Sequence, residues 1–297
     1  MDLERFLHDR KKLIDDTLEQ VTPGETTPPP TIHKAVRYSV FSGGKRIRPI
    51  LTLASNELVG GDHRSIVPFA CGIELIHTYS LIHDDLPAID NSDFRRGKLS
   101  NHKVFGEAIA VLAGDALLTL AFQVMTDPFL FVSHDPATVL RAVHEISRVA
   151  GLQGMIGGQV VDVETEGKRF TPRCLEYIHT HKTGSLIAGA VKAGAILGGG
   201  GEREIEALTK YGENIGLAFQ ITDDILDVES TRKVLGKETG QDAVRGKATY
   251  PKLFGLEDSR NRAKELVEKA AAALGPFDVD RAESLRQIAR HISQRLY

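Results

Sequence analysis

Two short acidic strings carry the first chemistry visible in this 297-residue chain: DDLPAID, from Asp84 to Asp90, and DDILD, from Asp223 to Asp227. Asp223 and Asp227 are four apart, so on a continuing helix they share one face, with Asp224 at its shoulder. Each string follows a strongly apolar run, CGIELIHTYSLIH before the first and IGLAFQIT before the second, which sets the carboxylates at a partly desolvated rim. Like charges gathered there raise one another's pKa unless cations keep them ionised. Hard oxygen donors select magnesium, which keeps several waters and takes one or two protein carboxylates together with phosphate oxygens. Neither string has the glycine and terminal glutamate of a calcium-binding loop. A single acidic string is equally a solvated helix end; two, each behind an apolar run, favour a metal bound with a phosphorylated ligand.

Basic residues supply the other half of such a site. GGKRIRP places Lys45, Arg46 and Arg48 behind a glycine pair and before Pro49, where the backbone can approach an anion closely and a helix begins. Asp93-Phe94-Arg95-Arg96-Gly97 adds two more cations just beyond the first carboxylates, and Lys182, Lys237 and Lys247 are further candidates. Neither a Walker loop nor a strand-associated GxGxxG is present.

These residues need a frame, and the sequence supplies helices. Apolar positions recur with helical spacing over Leu3 to Val21, Thr31 to Ser42, Pro49 to Val59, Ile66 to Ile82, Glu107 to Met125, Pro136 to Ile156, Arg173 to Leu197, Glu202 to Asp227, Asn261 to Leu274 and Asp280 to Leu296. Glycine and proline clusters fall between them as stops, and no alternating strand is evident. The fold class is therefore all-α: a single domain over 1–297, a bundle of about ten or more helices. Runs such as Ile66 to Ile82 and Ser185 to Leu197 are apolar around most of their circumference and must be surrounded. The polar stretch Glu229 to Ala248 reads as a loop beside a site.

Composition narrows the function. With 37 Lys and Arg against 40 Asp and Glu, the net charge of -3 points to neither nucleic acid nor an anionic membrane surface. Cys71 and Cys174 lack zinc spacing and give no disulfide framework, which fits a reducing cytoplasm. The start reads as an amphipathic helix, and the apolar run Ala108 to Met125, interrupted by Gly114, Asp115 and Gln123, as a core helix with no stable membrane insertion expected.

In order along the chain, GGKRIRP, ELIHTYSLIHDDLPAIDNSDFRRG, FGEAIAVLAGDALLTLAF, GGQVVDVETEG, HKTGSLI, FQITDDILDV and LGKETGQDAVRGKATYP resemble the trans-prenyltransferases, the isoprenoid diphosphate synthases, and most closely the bacterial farnesyl diphosphate synthases. The resemblance implies helices around a deep central cavity, a homodimer, and the two aspartate motifs facing one another across the cavity mouth. By matching motif, Asp84, Asp85, Asp90, Asp223, Asp224 and Asp227 would bind magnesium, three ions in all with an allylic diphosphate. Arg95, Lys182, Lys237 and Lys247 match contacts to that diphosphate. Lys45, Arg48, His77 and Arg96 match the isopentenyl diphosphate site. Thr183 and Gln220, with Lys182, match groups lining a nascent cation, and together with Asp84 and Asp223 form the catalytic set. After RRG the family commonly has proline and threonine, whereas Lys98, Leu99 and Ser100 follow here; at the C-terminus a role for Arg295 is open.

The implied reaction is head-to-tail condensation of isopentenyl diphosphate with dimethylallyl and then geranyl diphosphate. Tyr79 lies five residues before Asp84, roughly 7.5 Å deeper along a helix, and with Ser80 is the candidate for setting chain length. The resemblance implies farnesyl diphosphate as product. The alternatives are a geranylgeranyl or longer-chain synthase, and a non-catalytic helical subunit of such a complex.

Overall fold

The computed structural model describes residues 2–233 and 248–294, with side chains described except at 230–233 and 293–294. Lys237, Lys247, Arg295 and residues 234–247 of the Glu229 to Ala248 stretch lie outside the described residues. Among the described residues the chain is all-α apart from one short hairpin. It divides into two compact units, one from residues 2–53 and 62–143, the other from 54–61 and 144 onward.

The first unit contains α1 (Leu3–Val21), α2 (Pro30–Val40), α4 (Val67–Asp84), α5 (Asn101–Phe105) and α6 (Glu107–Thr126). It also takes part of α3 (Ile47–Leu58) and of α7 (Pro136–Ala150). The Asp2 carboxylate caps α1 by accepting from the Arg5 N–H, and Pro30 opens α2 where a missing N–H costs nothing. α4 is buried nearly throughout, from Val67 to Ile82, and packs on α1, α2 and α6. Gly72 permits one of these approaches, since a Cβ there would lie 3.0 Å from the Ala121 carbonyl oxygen. α6 differs from the buried helix expected: Val111 and Leu112 are exposed, although Ala110, Ala113, Leu117 and Ala121 are buried. It is apolar all round but covered on one side. Both His63–Asp84 and Glu107–Thr126 are long and apolar enough to cross a membrane, and the first is mostly buried inside the protein.

The second unit holds α8 (Met155–Thr165), α9 (Pro172–Ile178), α10 (Ser185–Leu197), α11 (Glu202–Lys233), α12 (Tyr250–Phe254), α13 (Leu256–Ala273) and α14 (Glu283–Gln294). α10 is buried along almost its whole length against α11. Two expected helices are interrupted. The run Pro136 to Ile156 breaks after Ala150 at a Gly151–Gly154 turn, where a Cβ on Gly154 would come 2.0 Å from the Val149 carbonyl oxygen. The run Arg173 to Leu197 widens into a π turn at His179–Gly184 between α9 and α10.

Candidate functional site

In the first unit the chain leaves α4 at Asp84 and folds back at once. The Asp90 N–H donates to the Asp84 carbonyl (2.8 Å), Ser92 N–H to Asp85 (3.1 Å) and Asn91 N–H to Leu86 (2.9 Å). That turn sets Asp90 beside Asp84, both half-buried. Asp85 is different. It is buried, and Arg95 grips its carboxylate, Nη2 donating to Oδ1 at 2.5 Å and Nε reaching both oxygens at 3.2 Å. Arg95 is held by a two-residue hairpin, Phe94–Arg95 paired with Lys98–Leu99. Arg96 and Gly97 both have positive φ, 54° and 76°, as the tight turn of such a hairpin requires. So of the three residues that depart from the expected motif, Lys98 and Leu99 form the second strand and Ser100 leads directly into α5.

The GGKRIRP string splits by direction. Arg46, at φ 52°, turns inward and is 3% exposed. Its guanidinium donates to Asp15 (2.9 Å), Glu74 (2.8 Å) and the Val40 carbonyl (2.7 Å). That leaves Lys45 exposed and Arg48 half-buried on either side. Arg96 reaches back to donate to the Gly43 carbonyl, and its guanidinium occupies the place a Gly44 side chain would take. His77, on α4, is kept neutral: burial, then the guanidiniums of Arg48, Arg96, Arg95 and Arg46, hold its pKa well below the usual range. A neutral imidazole among converging cations is an electrostatic setting for a polyanion. Tyr79 is buried without a partner for its hydroxyl, its ring edge-on to His83 at 5.7 Å. His83 sits in a notch that only Gly114 of α6 leaves open, since a Cβ there would come 2.0 Å from its Nε2. Ser80 donates to the His77 carbonyl (2.9 Å).

In the second unit the π turn matters. Lys182 and Thr183 lie within it, and such bulges re-aim side chains that a regular helix would place elsewhere. Glycine permits the close packing around it: a Cβ on Gly158 would come 2.2 Å from the Lys182 N, and one on Gly216 2.8 Å from the Gly184 Cα. Lys182 Nζ donates to Asp162 (2.7 Å). The Thr183 hydroxyl donates to Gln220 Oε1 (2.7 Å), and Gln220 Nε2 to Asp224 Oδ1 (2.9 Å). Asp224 Oδ2 accepts from the Tyr250 N–H (2.9 Å) and lies 3.3 Å from His179 Nε2. His179 is neutral, its pKa brought down to about 4 chiefly by burial, with Lys182 adding to that and Asp162 opposing it. Asp162, His179, Lys182, Thr183, Gln220 and Asp224 line one pocket of this unit. Asp223 and Asp227 are half-buried, whereas Asp224 is 3% exposed.

The second aspartate of each string is thus buried and engaged by protein donors, while its neighbours stay partly accessible. Asp162, His179, Glu74 and Asp15 were not singled out by sequence reasoning. Asp162 was the one with a visible signal, a lone acid amid the apolar residues of GGQVVDV. Among the described residues no three His, Cys, Asp or Glu side chains form a group able to hold a metal by themselves. The half-buried carboxylates of each string are hard oxygen donors of the kind magnesium takes one or two at a time, together with water and phosphate.

Within its two units the all-helical chain thus carries the acidic strings, the arginine group and the Lys-Thr-Gln set that the resemblance to the isoprenoid diphosphate synthases implies. The chain belongs to the polyprenyl synthetase family, whose model matches residues 29–287, and is a trans-prenyltransferase. It is 46% identical to a heterodimeric geranylgeranyl pyrophosphate synthase large subunit, chloroplastic, of Arabidopsis thaliana, over 99% of this chain and 80% of that protein. It is 45% identical to a geranylgeranyl diphosphate synthase of Cyanophora paradoxa, over 98% and 95%. Among solved structures, an FPP/GFPP synthase from Zymomonas mobilis aligns with a TM-score of 0.87 at 37% identity, over 98% of this chain and 99% of that one.

Proposed function

We propose that the protein condenses isopentenyl diphosphate with allylic diphosphates and that its product is geranylgeranyl diphosphate. The observation that supports the reaction most directly is the division within each acidic string. Asp84 and Asp90, and likewise Asp223 and Asp227, remain partly accessible while Asp85 and Asp224 are tied to the protein. The sequence assigned all six aspartates to magnesium; with Asp85 and Asp224 held by protein donors, we keep that role for the four accessible ones. Bound magnesium would neutralise charge gathering on the departing diphosphate. Arg95 and Lys182 add cationic donors to the same allylic diphosphate, and Lys45, Arg48, Arg96 and His77 receive the isopentenyl diphosphate. The allylic C–O bond breaks, the isopentenyl double bond attacks the allylic carbon, and a proton leaves to the released diphosphate. Thr183 and Gln220 present oxygen to the transient cation, and orientation of the two substrates supplies much of the rate.

The twenty-carbon product rests on the relatives named geranylgeranyl synthases and displaces the farnesyl product expected from the sequence. Tyr79 favours a second reading, the fifteen-carbon product, because a buried ring five residues before Asp84 is placed to stop a growing chain. Purified protein with magnesium, isopentenyl diphosphate and dimethylallyl, geranyl or farnesyl diphosphate, analysed by chromatography, tests both. Twenty-carbon product is expected, and accumulation of fifteen-carbon product would select the Tyr79 reading. No prenyl product from the chain alone would refute catalysis and favour a subunit that needs a partner.

A further inference from the structure

The second acidic string contains two kinds of aspartate. Successive helical residues point about 100° apart, so Asp223 and Asp224 leave α11 in different directions. Asp223 pairs in register with Asp227, and Asp224 with Gln220, each four residues away. Asp224 is 3% exposed and both its oxygens are occupied, Oδ1 by Gln220 Nε2 at 2.9 Å and Oδ2 by the Tyr250 N–H at 2.9 Å.

The consequence lies in where the hydrogens point. A carboxylate only accepts, so Gln220 must turn its NH2 toward Asp224 and its Oε1 away. Oε1 then accepts the Thr183 hydroxyl hydrogen at 2.7 Å, which leaves the Thr183 oxygen lone pairs without their own hydrogen between them and the pocket. Every hydrogen in the chain Thr183–Gln220–Asp224 points toward the carboxylate, and each bond polarises the next. Thr183, Gln220 and Asp224 all line one pocket, and at the Thr183 end of the chain the hydroxyl presents its oxygen, not its hydrogen. We infer that Asp224 is a positioning residue that orders this chain and so fixes oxygen, not N–H or O–H, toward the allylic cation. This rests on the prenyl condensation proposed above.

Exchange of one oxygen for NH2 should reverse the chain. In Asp224→Asn the Tyr250 N–H, a backbone donor, retains the carbonyl oxygen, which puts the new NH2 against Gln220. Gln220 must then turn its oxygen to Asn and its NH2 to Thr183, whose hydroxyl hydrogen swings into the pocket. A cation there meets a positive end. Adding Gln220→Glu to Asp224→Asn restores the order, because one glutamate oxygen accepts from the asparagine NH2 and the other from Thr183.

The test compares wild type, Asp224→Asn, Asp224→Asn with Gln220→Glu, Asp223→Asn and Thr183→Val, each checked for folding by circular dichroism. For Asp224→Asn, kcat is expected to fall by about tenfold or more, in line with the loss of a well-placed electrostatic partner. KM for both diphosphates and the magnesium concentration for half-maximal rate should stay within about twofold. Calorimetric titration of magnesium with inorganic diphosphate should be unchanged in Asp224→Asn and weakened in Asp223→Asn. The double variant should regain a large part of the lost kcat. A shift in magnesium binding by Asp224→Asn, or a double variant no faster than the single one, would overturn the inference. If Asp224→Asn does not fold, Thr183→Val decides: an unchanged kcat would refute the ordered chain, and a fall with unchanged magnesium binding would support it. Absence of product from wild type would instead refute the condensation reading itself.

Discussion

Replacing Arg46 by methionine should cost more stability than any surface change in the protein. The guanidinium is 2% exposed and donates three bonds: to Glu74, itself 2% exposed, to Asp15, 30% exposed, and to the Val40 carbonyl. Methionine keeps most of the volume, so the loss is electrostatic. Stranding Glu74 without its cation costs about 3–5 kcal/mol, and the unpaired Val40 carbonyl adds about 1 kcal/mol. Asp15 can turn to water and contributes little. A total of about 4–6 kcal/mol is a large share of the ~5–15 kcal/mol that holds a typical protein folded. Urea unfolding followed by circular dichroism reads it as a fall in midpoint at constant slope. The control is Arg46→Met with Glu74→Leu, which removes both buried charges and should recover most of the loss. A single-variant loss below about 1 kcal/mol, or a double variant no more stable than the single one, would refute the reasoning. The Asp15 carboxyl is held below its usual range by Lys11 and Arg46 against the opposing effect of burial. Its contribution is present above the ordinary value of about 3.9 and fades as pH falls through the lower folded value, so the variant comparison belongs near neutrality.

Three further outcomes follow from the same geometry. His77 should take up a proton more readily when inorganic diphosphate binds, because the anion offsets the Arg48, Arg96, Arg95 and Arg46 charges that disfavour its protonation; an NMR titration in which the His77 pKa failed to rise would contradict the placement of that anion. Gly158→Ala should lower kcat at least as strongly as it lowers stability, since a Cβ 2.2 Å from the Lys182 backbone N has no rotamer that relieves it; wild-type turnover in the variant would show that the π turn is not needed. Tyr79→Ala should shift product toward longer chains if the ring stops elongation, and an unchanged chromatographic profile from a folded variant would remove Tyr79 from that role.

Periodicity located the long helices well: Leu3–Val21 is found as expected, and Glu107–Met125 within one residue. Such patterns report which face is buried, a local property. The features that escaped depend on contacts between segments. Nothing in HKTGSLI announces a π turn, because the turn is permitted by Gly158 and Gly216 on other helices. Both acidic strings were visible as strings, yet which aspartate turns inward depended on partners 10 residues away for Asp85 and 26 away for Asp224. By residue type alone Arg46 was one of three cations in GGKRIRP; the resemblance assigned only Lys45 and Arg48 to substrate, and the inward direction of Arg46 goes with its positive φ.

The tie from Asp15 to Arg46 also bears on how the chain can be dissected. The matched family region begins at residue 29, beyond α1. A fragment cut to 29–287 would keep every aspartate of both strings and every described cation assigned to diphosphate. It would nevertheless lose Asp15, and with Ile14 and Leu18 the buried apolar contribution of α1. The inward arginine of GGKRIRP would then have one carboxylate where it now has two, directly between the two cations proposed to receive isopentenyl diphosphate. The leading helix, which contains none of the family's motifs, is therefore a brace for the loop that does.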